Sequence, residues 1–304
     1  MTQSPLVVGV DGSSPSLLAV DWAVDEAARH KVPLRLVHAS LKEGHEGTAS
    51  PVGGQRPPAR VPAEHIVAFA AERAHRRNPQ IKVSTAIFPE EAARVLLREG
   101  DSAALLVTGS RGRGEVKGLL LGSVGLAVAA RAPCPVVVVR GDTAGLAGAH
   151  ERILLGAGDS GTSGEAVGFA FCEAEARGCV LDVVRAWRCP AYESTDRPAS
   201  AGESERRHEE RAAALLDGLL RDAMAAHPGV RVRRATVEGP AARVLVLRSA
   251  AADLVIVGAR RRQGRFGLQL GRVSHTLLHH AECPVAVVPH EPGGRPMGGQ
   301  EAWA

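Results

Sequence analysis

The sequence predicts two tandem α/β domains, each a mostly parallel sheet covered by helices on both faces. Three observations predict it. The chain has 304 residues, and at roughly 100–200 residues per domain that length suits two compact units. Apolar segments of strand length alternate with longer segments of helical spacing, which implies right-handed crossovers between parallel strands. The pattern is also written twice. ARAPCPVVVV ending at Val139 returns as HAECPVAVV ending at Val288, GLLLGSV from Gly118 returns as GLQLGRV from Gly267, and AARVL from Ala92 returns as AARVL from Ala241, each at an offset of 149 residues. VGVDGS from Val8 aligns with LGAGDS from Leu155 at an offset of 147. A repeat of this length decides the architecture before any motif does.

In the first copy, LVVGV from Leu6 is an apolar run suited to a strand buried on both faces, and Pro15 to His30 carries helical spacing around Trp22. LRLVHA, Leu34 to Ala39, is the second strand, followed by a helix from Pro62 to Arg77. IKVSTAI from Ile81 is the third strand, Glu90 to Glu99 a helix, AALLVTG ending at Gly109 the fourth strand, Ser123 to Arg131 a helix and PVVVV from Pro135 the fifth strand. The second copy repeats this order with RILLGA, Thr162 to Arg177, VLDVVRA, Glu203 to His227, VRVRRATV, Pro240 to Ala250, DLVIVGA, Val273 to His280 and PVAVVP. The expected domains are 1–141 and 150–290, with 141–151 as linker and 291–304 as a flexible tail. Residues 41–60 and 188–202, rich in Pro, Gly and Ser, are expected to be mobile loops.

Composition narrows the function. Apolar residues make up 45% and charged residues 23%, as in ordinary globular proteins. Aromatic residues make up only 3%, which argues against a protein that stacks nucleic-acid bases. The net charge is +4, but the basic residues are scattered through both halves rather than gathered in a stripe, so no nucleic-acid partner is expected. The amino terminus lacks a basic, apolar leader. The stretch between Lys117 and Arg131 offers about 13 uncharged residues where a spanning helix needs about 20. A cytoplasmic protein with no membrane partner is the expectation. Cys134, Cys172, Cys179, Cys189 and Cys283 form no CxxC pair, so neither a zinc site nor a disulfide framework is signalled.

The chemistry lies in a glycine pattern. The strand AALLVTG runs into GSRGRGEVKGLLLGSV, with Gly109, two residues, Gly112, nine residues, then Gly122 and Ser123. The loop leaves the carboxyl end of a parallel strand, where open α/β sheets bind ligands at a topological switch point. Gly109 and Gly112 lack a Cβ, so the backbone can approach a phosphate closely. Gly122 and Ser123 open a helix whose free N–H groups and positive dipole end accept an anion. Arg111 and Arg113 stand in the loop as optional phosphate cations, and VVGVDGS places Asp11 at the end of another strand. Together these describe a polyphosphate cradle.

At this point the chain resembles the universal stress protein family, specifically its ATP-binding branch, whose signature is G-2x-G-9x-G-[ST] after the fourth strand. VDGS from Val10, VHA from Val37, the glycine signature and APCPVVVV all stand in register, and the resemblance covers nearly the whole chain twice. It implies Rossmann-like, adenine nucleotide alpha hydrolase-like domains, each with five parallel strands in the order 3-2-1-4-5. It implies ATP as ligand, with Mg as an optional companion. It places the Ala39 backbone against adenine, Asp11 on the ribose or metal side, and Gly109, Gly112, Gly122, Ser123 and Val124 against ribose and phosphates. Gly9, Thr108, Arg111 and Arg113 complete the expected first site, and Ala186, Gly258, Arg261, Gly271, Arg272 and Val273 the second. The family also implies pairing of the two copies through their last strands as an intramolecular pseudo-dimer, a further homodimer, and a nucleotide-dependent role in stress response.

The second copy departs from the signature. Gly112 becomes Arg261, Ser123 becomes Arg272, and Asp11 becomes Gly158 with an acid displaced to Asp159. The expectation is a degenerate second site beside an intact first one. Other constellations read more plainly. His275 and His279 lie four apart on a helix, yet no third metal ligand stands beside them in sequence. GDSG from Gly158 lacks any protease framework, His38 reads as a structural histidine near the pocket, and Glu90/Glu91 and Glu209/Glu210 read as solvated helix faces. Beyond Asp11 no placed catalytic base is visible, so the reading is a binding protein. A slow ATPase and a nucleotide-independent scaffold are the rivals.

Overall fold

A computed structural model describes residues 3–41, 62–112, 121–158, 160–189, 198–260 and 270–290 of the chain. It divides into two compact units, Met1–Val139 and Arg140–Ala304. The first unit runs β1 (Leu6–Gly9), α1 (Ser14–His30), β2 (Leu34–Ala39), α2 (Ala63–Arg77), β3 (Val83–Phe88), α3 (Ala92–Glu99), β4 (Leu105–Gly109), α4 (Ser123–Arg131) and β5 (Val136–Val139). Its strands lie in the order β3-β2-β1-β4-β5, and all four pairings are parallel. Val8 sits in register with Leu36 on one side and Val107 on the other.

The three inner strands and β5 are apolar because they are covered on both faces: Leu6, Val7, Val8, Leu105, Leu106 and Val137 are wholly buried. β3 is the edge, and its positions are all exposed or half-buried. α1 begins where Ser13 caps it, the Ser13 side chain accepting from the Ser16 N–H, with Pro15 in the first turn. It ends at Lys31, whose left-handed φ of 57° turns the chain so that the Val32 N–H reaches back to the Ala27 carbonyl at 3.0 Å. Arg73 and Arg77 of α2 make forked bonds to Asp21 and Asp25 of α1. The carboxylate pair Glu90/Glu91 is structural rather than merely solvated. Glu91 accepts from the Ala93 and Arg94 N–H groups at the start of α3, and Glu90 binds Arg98, which holds the Glu90 carboxyl below its usual range.

The second unit runs α5 (Thr143–Leu146), β6 (Arg152–Gly156), α6 (Ser160–Arg177), β7 (Val180–Trp187), α7 (Pro198–Ala226), β8 (Arg231–Glu238), α8 (Ala241–Ser249), β9 (Leu254–Arg260), α9 (Arg272–His280) and β10 (Val285–His290). Its order is β8-β7-β6-β9-β10, again all parallel. Each unit therefore repeats the 3-2-1-4-5 order. The start of α7 corrects the expectation of a loop through residue 202, because Pro198 needs no N–H in a first turn and opens the helix there.

The segment ahead of β6 is folded onto this unit. Arg140 donates to the Leu278 carbonyl, the Asp142 N–H to the Glu282 carbonyl at 3.0 Å, and Asp142 Oδ1 accepts from Gly145 at 2.8 Å to cap α5. Gly141, with φ of 103°, lies so close to Glu282 that a side chain there would strike the backbone. The buried Asp253 carboxylate takes the N–H groups of His150 and Arg152. Cys134, Cys179 and Cys283 are buried and Cys172 and Cys189 half-buried, with no disulfide among them. Burial pushes the Cys283 thiol far up, so it behaves as a small apolar side chain. No described helix is long and apolar enough to cross a membrane.

Candidate functional site

The order 3-2-1-4-5 sends the chain one way from β1 to β2 and the other way to β4, so the carboxyl ends of β1 and β4 open a crevice. That crevice is a cavity of about 430 Å³. Gly9, Asp11, Ala39, Thr108, Gly109, Arg111, Gly112, Gly122, Ser123 and Val124, drawn from four separate stretches of sequence, all line it. Arg113 falls outside the described residues.

Each wall has a physical reason. A Cβ on Gly9 would stand 2.9 Å from Leu96 Cδ1 of α3, and one on Gly109 would stand 2.6 Å from the Pro15 carbonyl group. The end of β4 thus packs against the first turn of α1 with no room for a side chain. Gly12 takes φ of 78°, a left-handed turn that glycine adopts freely. The turn folds Asp11 back, where its Oδ1 accepts from Ser13 N at 3.0 Å and Ser13 Oγ at 2.6 Å. A Cβ on Gly112 would lie 2.5 Å from the other Asp11 oxygen. Gly112 therefore lets the loop after β4 close against the carboxylate.

One wall of the cavity is the amino terminus of α4. Its cap is Gly122, which offers no side-chain hydrogen bond, and the Gly122 N–H is held by the Ser110 carbonyl at 2.8 Å. Ser123, Val124 and Gly125, whose first-turn N–H groups no carbonyl of the helix reaches, line the cavity there. His38 is buried with Nδ1 2.7 Å from the Val10 carbonyl, a structural role next to the cavity rather than in its wall.

The second unit builds the same crevice at about 840 Å³. Ala186, Gly258, Gly271, Arg272 and Val273 line it, and Arg261 falls outside the described residues. Gly158 stands where Asp11 stands, with its N–H bonded to Ser163 Oγ at 2.9 Å. Arg185 takes the place of His38 and donates to the Gly158 carbonyl. Arg185 and Arg272 are the charged groups among the described lining residues. The first cavity instead has both Asp11 and Arg111 in its described lining.

Several wall residues were not expected from sequence. Ala92 and Leu96 line the first cavity and Ala241 and Leu245 the second. The signal was present, since these are the matching positions of the identical AARVL segments. Arg185 had no signal, because its role depends on a strand pairing that places it beside Gly158. His275 and His279 bring their rings to 4.5 Å on α9. Burial, then the neighbouring His275, His280 and Arg140, hold the His279 imidazole below its usual pKa.

Comparison with known proteins agrees with this architecture. The profile of the universal stress protein family matches residues 4–140 and 150–289. A universal stress protein of Mycolicibacterium smegmatis is 33% identical over 94% of this chain and 97% of its own length. One of Mycobacterium tuberculosis is 32% identical over 93% of this chain and 95% of its own. The crystal structure of a universal stress protein from Archaeoglobus fulgidus superposes with a TM-score of 0.60 over 96% of this chain and 100% of that one, at 16% identity. That last likeness speaks to the fold.

Proposed function

The chain belongs to the universal stress protein family, and from that premise we propose that it is an ATP-binding regulator whose first site is intact and whose second is altered. One observation carries the reading: a single cavity gathers Asp11, the glycines of the loop after β4 and the uncapped first turn of α4. The residues fit the nucleotide. Gly109 and Gly112 leave no space for a Cβ, so the loop path that exposes its N–H groups depends on them, and the helix terminus favours negative charge. Ala39 supplies backbone at the adenine end, Asp11 faces the ribose or a metal ion, and Ser123 and Val124 hold phosphate. Binding orders the loop and shifts the population of a surface that a partner reads.

Among the described lining residues of the first cavity Asp11 is the one carboxylate, and one of its oxygens is committed to Ser13. That favours binding over hydrolysis. In the second unit Gly158 and Arg272 replace Asp11 and Ser123, which removes the carboxylate and adds a cation at the helix terminus, so affinity and preference differ between the sites. The test is calorimetric titration of the full chain with ATP, beside Gly112→Val and Arg272→Ser. The expected result is two unequal sites, with the tighter one lost in Gly112→Val. Two equal sites, both untouched by Gly112→Val, would refute the assignment.

A further inference from the structure

The two copies tie the same helix to the same strand with opposite charges. In the first unit Arg35 of β2 forks onto Glu99 of α3, Nε to Oε2 at 2.5 Å and Nη2 to Oε1 at 3.3 Å. In the second unit Asp182 of β7 accepts from Arg248 of α8 at 3.3 Å. Asp182 follows Arg35 by 147 residues and Arg248 follows Glu99 by 149, the offsets that relate these segments of the repeat. Ion pairs inside the first long helix keep their polarity, the acid one turn ahead of the base: Glu26 with His30 on α1 and Glu173 with Arg177 on α6.

The apolar contact of α3 and α8 does not tell the copies apart. Both helices open with the identical segment AARVL. Leu96 and Leu245 fill the space over Gly9 and Gly156, where a Cβ would stand 2.9 and 2.7 Å from the leucine Cδ1. By shape, either helix fits either sheet, and misassembly between like units is a characteristic failure of repeat proteins. Charge separates the two outcomes. On the second sheet Glu99 would meet Asp182, which is only 6% exposed, and on the first sheet Arg248 would meet Arg35. Each exchange loses an ion pair and sets like charges together away from bulk water.

We infer that Arg35–Glu99 and Asp182–Arg248 form a copy-recognition device that keeps each helix on its own sheet as the chain folds. Both arginines are partly exposed, so either pair adds little to the stability of the finished fold. The effect lies in the difference between the right partner and the wrong one.

The experiment dilutes the full chain out of denaturant and measures, by size exclusion and thermal melting, the fraction that regains native elution and melting temperature. Arg35→Asp with Glu99→Arg gives the first unit the polarity of the second. Each unit then keeps a pair of its own, but the copies no longer differ. The misassembled fraction is expected to rise about tenfold at equal concentration. It is expected to return to the native level when Asp182→Arg and Arg248→Glu are added, which makes the polarities opposite again. Native yield from the two-residue variant overturns the inference. Equal failure of both variants also overturns it, because the pairs would then act through local fit. A two-residue variant that never folds beside a four-residue variant that does upholds it, since what the added changes restore is the difference between the copies.

Discussion

Gly109→Ala tests the packing that shapes the first cavity. The added methyl would stand 2.6 Å from the Pro15 carbon and oxygen and 2.9 Å from the Ser16 nitrogen, where ordinary contact begins at 3.4 Å. These are backbone atoms of a helix turn already tied by the Ser13 cap, so no side chain can swing aside. The end of β4 and the start of α1 must part by about 0.8 Å, from 2.6 to 3.4 Å. Overpacking of this kind costs about 1–3 kcal/mol. At about 2–4 °C per kcal/mol for a domain somewhat larger than this unit, a middle value of about 2 kcal/mol lowers the melting temperature by about 4–8 °C. Circular dichroism melting of the full chain reads it. Gly218→Ala is the control: a methyl there meets nothing within 4 Å inside α7, and removing a helical glycine stabilises by about 0.5–1 kcal/mol. If Gly109→Ala melts with the native chain, the close approach of β4 to α1 is wrong and the cavity wall with it.

Three further outcomes follow from local contacts. Ser13→Ala removes both the α1 cap and the bond to Asp11; it is expected to cost about 1 kcal/mol in denaturant titrations and to weaken nucleotide binding in the same chain. His279 has a folded pKa below its unfolded value of 6.5, chiefly through burial, so protonation favours the unfolded chain. Its contribution is present above the unfolded value and is lost as pH falls from there through the folded one. A melting series from pH 7 to 5 should therefore show a shallower decline in His279→Ala than in the native chain, and equal slopes would count against the burial. The Arg73–Asp21 pair, partly exposed at 2.5 Å, should show about 0.2–1 kcal/mol of coupling in a double-mutant cycle, shrinking in high salt.

Sequence reading succeeded where one local signal dominated. Leu34–Ala39 and Ser123–Arg131 have their expected bounds, the first because Leu34, Leu36 and Val37 form a compact strand-length cluster after Pro33, the second because Gly122 is a helix start that cannot lie inside the helix without cost. The start of α7 was missed because Pro, Ala and Ser in succession look like a loop, although proline suits a first helical turn. The gathering of Asp11, Ala39 and the glycine loop in one crevice could be expected from the family resemblance and the strand order it implies. The Glu91 cap and the Arg185 bond to Gly158 could not, since each depends on distances between segments remote in the chain or on a side-chain rotamer. Hydrophobic period carries no information about those.

The anchoring of residues 140–146 decides how the protein can be dissected. A recombinant second half that opened at residue 150 would lose the Arg140 donor to the Leu278 carbonyl, the Asp142 donor to the Glu282 carbonyl and the α5 turn packed over Cys283. Its terminal carbonyls would be bare and its most protected thiol uncovered. Truncation boundaries therefore belong ahead of Arg140, and a shorter fragment that aggregates or oxidises would report on a severed clasp rather than on an unstable domain.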